Sequence, residues 1–180
     1  MLDRAGAVIL ETFSPSRVHI VSDSTVAPLY LEKLEKQFSL PVTHTVIPAG
    51  EEHKQLSTVE GIYHDLLTAG MTRKDLIIAL GGGSPMDCAK GIGARVARPG
   101  KSIPKMKGLL RVLKKLPPLV AIPTTSGTGS EVTPFAVITD NRTGVKYPLA
   151  DYALTPDMAI VDPEFVMDLP PSLIANAGLD

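Results

Sequence analysis

The segment that most constrains the fold is Leu76-Ile77-Ile78-Ala79-Leu80, followed by Gly81-Gly82-Gly83 and then Ser84-Pro85-Met86-Asp87. An apolar run without polar alternation suits a strand covered on both faces. That is the usual condition of a parallel sheet packed between helices. The glycines end the strand. Ser84 as N-cap, Pro85 at the first helical position and Asp87 in the first turn predict a helix reaching about Ala97.

The same alternation extends through the chain. Val18-His19-Ile20-Val21-Ser22 reads as a strand. Residues 26–38 carry apolar residues at helical spacing, with Ser24 or Thr25 available as N-cap. Residues 43–47 read as a second strand, ended by Pro48-Ala49-Gly50. Ser57-Thr58-Val59-Glu60 has the form of a capping box, opening a helix that should stop at Gly70. Residues 119–122 form another strand of the buried type. Residues 136–139 and 145–147 read as a hairpin turning at Asn141 and Gly144, and 159–161 as a last strand. Pro171 begins a further helix. This order predicts an α/β fold: a Rossmann-like, doubly wound, mostly parallel sheet with an added β-hairpin. A chain of 180 residues suits one such domain.

Composition excludes several classes. The net charge of −1 gives no electrostatic reason to expect nucleic acid or an anionic membrane as partner. Cys88 is the only cysteine, so no internal disulfide can form, and a cytoplasmic compartment is expected. The apolar run at 5–10 is too short to span a bilayer and lacks the flanks of a signal peptide. Lys101 to Lys115 holds five lysines and Arg111, which reads as a solvated helix or loop before a polyanion site. Cys88 reads as a small packed residue.

Ligands of doubly wound sheets bind beyond the carboxyl ends of the strands, and the distinctive residues here fall at such ends. The Gly81–Gly83 turn reads two ways. It is a cradle where backbone approaches a phosphate beside a helix N-terminus, or a structural turn. It departs from the G-x-G-x-x-G fingerprint because residue 86 is Met. Asp23 either accepts hydrogen bonds from ribose hydroxyls, repelling a 2′-phosphate and favouring NAD over NADP, or caps the next helix. Thr124-Thr125-Ser126-Gly127-Thr128-Gly129-Ser130-Glu131 either surrounds a phosphate or amide or is a polar surface loop. His19, His44, His53 and His64 lack ligand spacing and read as structural or surface residues.

Gly81-Gly82-Gly83-Ser84-x-x-Asp87 with Ala89-Lys90, then Pro123 to Thr133, then Val137-Ile138-Thr139-Asp140, resemble the iron-containing (group III) alcohol dehydrogenases. Lys146-Tyr147, Pro156, Asp162-Pro163 and Leu169-Pro170-Pro171 continue the likeness, and Ala177 to Asp180 resemble the start of that family's metal motif. The resemblance implies that Gly82, Gly83, Ser84 and Asp87 line the pyrophosphate and nicotinamide ribose of NAD. It implies that Thr124, Thr125 and Thr128 line the nicotinamide side and that Lys146 reaches the ribose. Asp180 is implied as the first ligand of a divalent metal, iron or zinc. The three His ligands belong to a helical C-terminal domain that the resemblance places beyond this chain. A lone carboxylate cannot hold such an ion, so this portion is expected to lack turnover on its own.

Residues 1–83 are also similar to 3-dehydroquinate synthase, through Val21-Ser22-Asp23, Val26 to Tyr30, and Pro48 to Lys54. That family shares the superfamily's two-domain fold and NAD site. By this likeness Asp23, Glu51 and Lys54 contact the adenosine end of NAD. Three expectations stand side by side. The first is the nucleotide-binding domain of a metal-dependent alcohol dehydrogenase, possible as a homodimer, acting on a small alcohol or aldehyde. The second is the N-domain of a dehydroquinate-synthase-like lyase, disfavoured because the stretch after Thr125 lacks that family's Asp- and Lys-bearing loop. The third is a chimera of the two families, or an excised module that only binds nucleotide.

Overall fold

The computed structural model describes residues 2–167, 169–171 and 175. The chain runs α1 (Ala5–Thr12), β1 (Val18–Asp23), α2 (Ala27–Glu35), β2 (Val42–Ile47), α3 (Leu56–Thr68), β3 (Leu76–Gly81), α4 (Gly83–Ala97) and β4 (Gly108–Leu109). It continues with β5 (Leu119–Pro123), β6 (Phe135–Asp140), β7 (Val145–Ala150), β8 (Met158–Ala159) and α5 (Glu164–Met167). Strands β2-β1-β3-β5-β8 form one parallel sheet, and β4-β7-β6 form a smaller one. The hairpin expected at 136–147 is the antiparallel pair β6–β7, longer than the sequence pattern suggested, with Gly144 at φ +67° in its turn.

The apolar run of β3 packs on both faces. Ile77 and Ala79 join Val59, Ile62, Ile92 and Ile138 in a core under α3, α4 and the small sheet. Leu76, Ile78 and Leu80 join Ile9, Leu31, Leu34 and Ile122 in a second core under α1 and α2. This is the expected two-sided burial of a central parallel strand, with successive side chains sent to opposite layers. Among the described residues no helix is long and apolar enough to cross a membrane.

Several local expectations shift. The 5–10 run lies in the helix α1, whose Ala5 and Ile9 are buried. No Ser57–Glu60 capping box forms, because α3 begins at Leu56 with Gln55 as N-cap. Glu60 instead pairs with Arg95 of α4 at 2.9 Å. Helix α4 begins two residues early, at Gly83 with Gly82 as N-cap, so Ser84 lies inside its first turn. Neither Ser24 nor Thr25 caps α2; the Asp23 carboxylate accepts the amides of Thr25 and Val26 instead. Gly70, at φ +72°, does end α3 as anticipated. Within the basic stretch, Ile103 and Met106 are fully buried while the lysines face outward. The last strand is Met158–Ala159, and Val161 is exposed.

His19 is structural, as the sequence suggested. On β1 its Nδ1 lies 2.8 Å from Thr43 Oγ1 and its Nε2 3.2 Å from Thr45 Oγ1, both on β2. Burial lowers its pKa to about 4. The unfolded chain therefore binds the proton first as pH falls. The stabilising contribution of neutral His19 is complete above the unfolded value near 6.5 and is lost as pH falls through about 4. In urea titrations between these limits, the wild-type chain should lose stability more steeply than His19→Gln, by up to ~1.4 kcal/mol per pH unit. Parallel pH profiles for the two chains would show that His19 is not the source.

Candidate functional site

The carboxyl ends of β1, β3 and β5 lie side by side, and each carries part of the site. In register, Gly81 of β3 faces Pro123 of β5, and the Gly81 carbonyl accepts the Thr124 amide at 3.1 Å. The chains leaving these strands then touch. A Cβ on Gly82 would stand 3.1 Å from Thr125 Oγ1, and one on Gly83 would stand 3.3 Å from Thr128 Cγ2. Gly81 has φ +149°, and a Cβ there would meet Pro85 Cγ at 2.8 Å and Asp23 Oδ2 at 3.1 Å. The glycine turn and the Thr/Ser/Gly loop therefore converge, as the oxidoreductase expectation requires.

Two adjoining cavities flank this contact and share Gly83, Ser84 and Thr128. The larger, about 580 Å³, is lined by Asp23, Leu29, Tyr30, Thr124, Thr125 and Phe165, among others. Its volume lies in the range of small-molecule sites. Tyr30 and Phe165 meet edge to face at 4.8 Å on its apolar side. Among the described residues Thr124 Oγ1 is buried with no hydrogen-bond partner, which native interiors rarely leave unexplained. At this border the first amides of α4 have no partner within the helix, and the positive end of its dipole faces out. A glycine cradle, unpaired amides and an orphaned hydroxyl together fit a phosphate-bearing ligand.

The smaller cavity, about 370 Å³, is lined by Glu51, Lys54, Asp87, Ser130 and Val137. Asp87 is its hub. Oδ1 accepts the Ser130 hydroxyl at 3.1 Å, and Oδ2 accepts the Val137 amide at 3.1 Å and pairs with Lys54 Nζ at 2.9 Å. Glu51 stands 3.7 Å from the same ammonium.

Glu51 and Lys54 thus group with Asp87, not with Asp23, whereas Thr124 and Thr125 share the cavity of Asp23. Ser84 borders both cavities, and its hydroxyl donates to the Gly50 carbonyl at 3.4 Å. Asp23 does not cap α2, which has Val26 as N-cap and no side-chain cap bond; its Oδ1 accepts the Thr25 and Val26 amides in the preceding turn, and the residue lines the larger cavity. Lys146 is exposed on β7 opposite Thr139 and lines neither cavity. Asp180 lies outside the described residues, and among those described no group of three His, Cys, Asp or Glu is placed to hold a metal ion. The residues in view do not fit a metal centre. Burial pushes the Cys88 thiol up to about 12, consistent with an inert packed residue.

Sequence reasoning missed Ser130, Val137, Tyr30 and Phe165 as individual lining residues. Ser130 and Tyr30 stood in quoted motifs, but only the fold assigns them a wall. Val137 acts through its backbone amide, which leaves no side-chain signal.

The iron-containing alcohol dehydrogenase family matches residues 2–163. The chain belongs to this family. Among its relatives is the bifunctional aldehyde-alcohol dehydrogenase AdhE of Escherichia coli (strain K12), 52% identical over 122 residues, covering 62% of this chain and 14% of that protein. Aldehyde-alcohol dehydrogenase 2 of Entamoeba histolytica is 44% identical over 179 residues, covering 92% of this chain and 20% of that one. Sulfoacetaldehyde reductase from Bifidobacterium kashiwanohense, solved in complex with NAD+, superposes with a TM-score of 0.80 at 26% identity, over 99% of this chain and 46% of that one. The chain thus spans a fifth or less of these two curated relatives and about half of that solved structure. The matched span includes residues 2–83, where a likeness to 3-dehydroquinate synthase was expected; the family shown there is the iron-containing alcohol dehydrogenase one.

Lys54 is only 8% exposed, so Asp87 is the main counter-charge of a nearly buried cation. Asp87→Ala should lower unfolding free energy by about 3 kcal/mol, at the low end for a broken buried pair because Glu51 remains nearby. The urea midpoint measures this; a midpoint within error of wild type would show that Asp87 does not hold the cation.

Proposed function

We propose that these residues form the NAD-binding unit of a metal-dependent alcohol dehydrogenase, and that the complete protein interconverts a small alcohol and its aldehyde. The observation that carries this reading is the meeting of the Gly81–Gly83 turn with the Thr124–Thr128 loop at the carboxyl ends of adjacent parallel strands. That is where open α/β sheets hold dinucleotides. Family membership and the NAD+ complex of a relative support it.

The larger cavity suits the adenosine half, with its base against Leu29, Tyr30 and Phe165 and its ribose hydroxyls toward Asp23. Gly82, Gly83 and Ser84 would receive the pyrophosphate on backbone amides. Thr124 Oγ1 would gain a partner that it lacks among the described residues. The smaller cavity would take the nicotinamide ribose and ring among Lys54, Asp87, Thr128 and Ser130. Glu51 lies at its rim, and Lys146 would have to reach in from β7. Bound nicotinamide supplies the hydride-accepting carbon; the protein's part is to orient the ring and exclude water. The Asp23 carboxylate disfavours a 2′-phosphate, so NAD is preferred to NADP.

Asp180 is proposed as one carboxylate ligand of iron or zinc whose remaining donors are not among the described residues. The reading extends to a cytoplasmic setting and a homodimeric assembly. We read the chain as one alcohol-dehydrogenase-type unit, not a joint of two families, because one family match spans the residues at which the resemblance changes.

Calorimetric titration of the 180-residue chain should show NAD binding, with NADP at least ~10-fold weaker, a gap of about 1.4 kcal/mol. Asp23→Asn keeps an oxygen for the Thr25 and Val26 amides but removes the charge, and should narrow that gap. No alcohol-dependent NADH should form even with added iron or zinc. Failure to bind NAD sinks the dinucleotide reading, and equal affinity for NADP sinks the role of Asp23.

A further inference from the structure

Lys90 is fully buried on α4, at 0% exposure, one turn beyond Asp87 and on the same helix face. Its ammonium donates to the Thr133 carbonyl at 2.7 Å, the Phe135 carbonyl at 2.9 Å and Ser130 Oγ at 3.2 Å. An ammonium has three hydrogens and no acceptor, so these three oxygens use its full capacity, with Thr133 Oγ1 a longer fourth contact at 3.4 Å. Ser130 passes its own hydrogen to Asp87 Oδ1 at 3.1 Å. One cation therefore ties α4 to the stretch between the Thr/Ser/Gly loop and β6, and through Ser130 to the carboxylate that holds Lys54 and Val137.

We propose that Lys90 is a positioning residue for the nicotinamide half of the bound dinucleotide, fixing the wall of the smaller cavity against Asp87. This rests on the dinucleotide reading above. Ser130, Thr133, Phe135 and Val137 all line that cavity, and each is held directly by Lys90 or through Asp87. The larger cavity includes none of these four. An apolar side chain could fill the same space at less desolvation cost, so what the lysine adds is its array of directed donors. Burial lowers its pKa to about 8 against the opposing pull of Asp87 and Glu131, which leaves it mostly charged near neutrality.

The test compares NAD with ADP, which lacks the nicotinamide half, by calorimetry on wild type, Lys90→Met and Ser130→Ala, with urea melts to establish folding. Lys90→Met should weaken NAD by about 10-fold while ADP stays within about twofold. Ser130→Ala, a milder change, should lower NAD affinity about threefold with ADP unchanged. A purely packing role would lower stability without altering the NAD-to-ADP ratio. Wild type that binds neither ligand overturns the dinucleotide reading and this proposal with it. Wild type that binds both, with an unaltered ratio in the variants, overturns the role of Lys90 alone. If Lys90→Met does not fold, the ratio in Ser130→Ala decides.

Discussion

The space at the end of β3 is tight at three successive residues: a Cβ at Gly81 would clash, and one at Gly82 or Gly83 would crowd a threonine side chain. Pro85, Asp23, Thr125 and Thr128 stand between 2.8 and 3.3 Å from where Cβ atoms of Gly81, Gly82 and Gly83 would be. That closeness lets two loops from neighbouring strands share one cleft. It also leaves backbone amides, not side chains, facing the cleft, which is the form in which a protein meets a pyrophosphate.

The second constraint is electrostatic. Lys54, Asp87 and Lys90 are each at least nine-tenths buried. Buried charges persist when paired and fully hydrogen-bonded. Here two cations and one carboxylate are linked through Ser130, with the backbone of residues 133–137 completing the set. The network joins the end of β5's loop, the start of β6, helix α4 and the turn at Lys54. These elements are distant in the chain and make up one wall of the site.

Much of the fold was legible because burial writes itself into local pattern. Leu76 to Leu80 are apolar without alternation because both faces of β3 are covered. Gly70 and Gly144 mark turns because both sit at positive φ. Helix starts were read less well. Ser57 and Glu60 have the spacing of a capping box, yet Glu60 pairs with Arg95 across to α4. Ser24, expected as a cap, accepts the Ala49 amide instead. In both places a partner from another element outcompeted the local bond, and nothing in a short window of sequence reports such a partner.

The amino-acid sequence by itself determined the layered α/β class, the order of strands and helices from β1 to β8 apart from the two-residue β4, and the two polar loops that follow buried strands. These depend on periodicity, glycine conformational freedom and short-range chemistry. Only the tertiary structure decided which residues share a cavity. Glu51 and Lys54 stand with Asp87, Thr124 and Thr125 stand with Asp23, and Lys90 turns inward as the link between walls. Those groupings depend on strand order β2-β1-β3-β5-β8 and on hydrogen bonds between residues forty or more positions apart, such as Lys90 to Ser130, Thr133 and Phe135. A pairing over such separation is set by packing of whole elements, which no local pattern encodes.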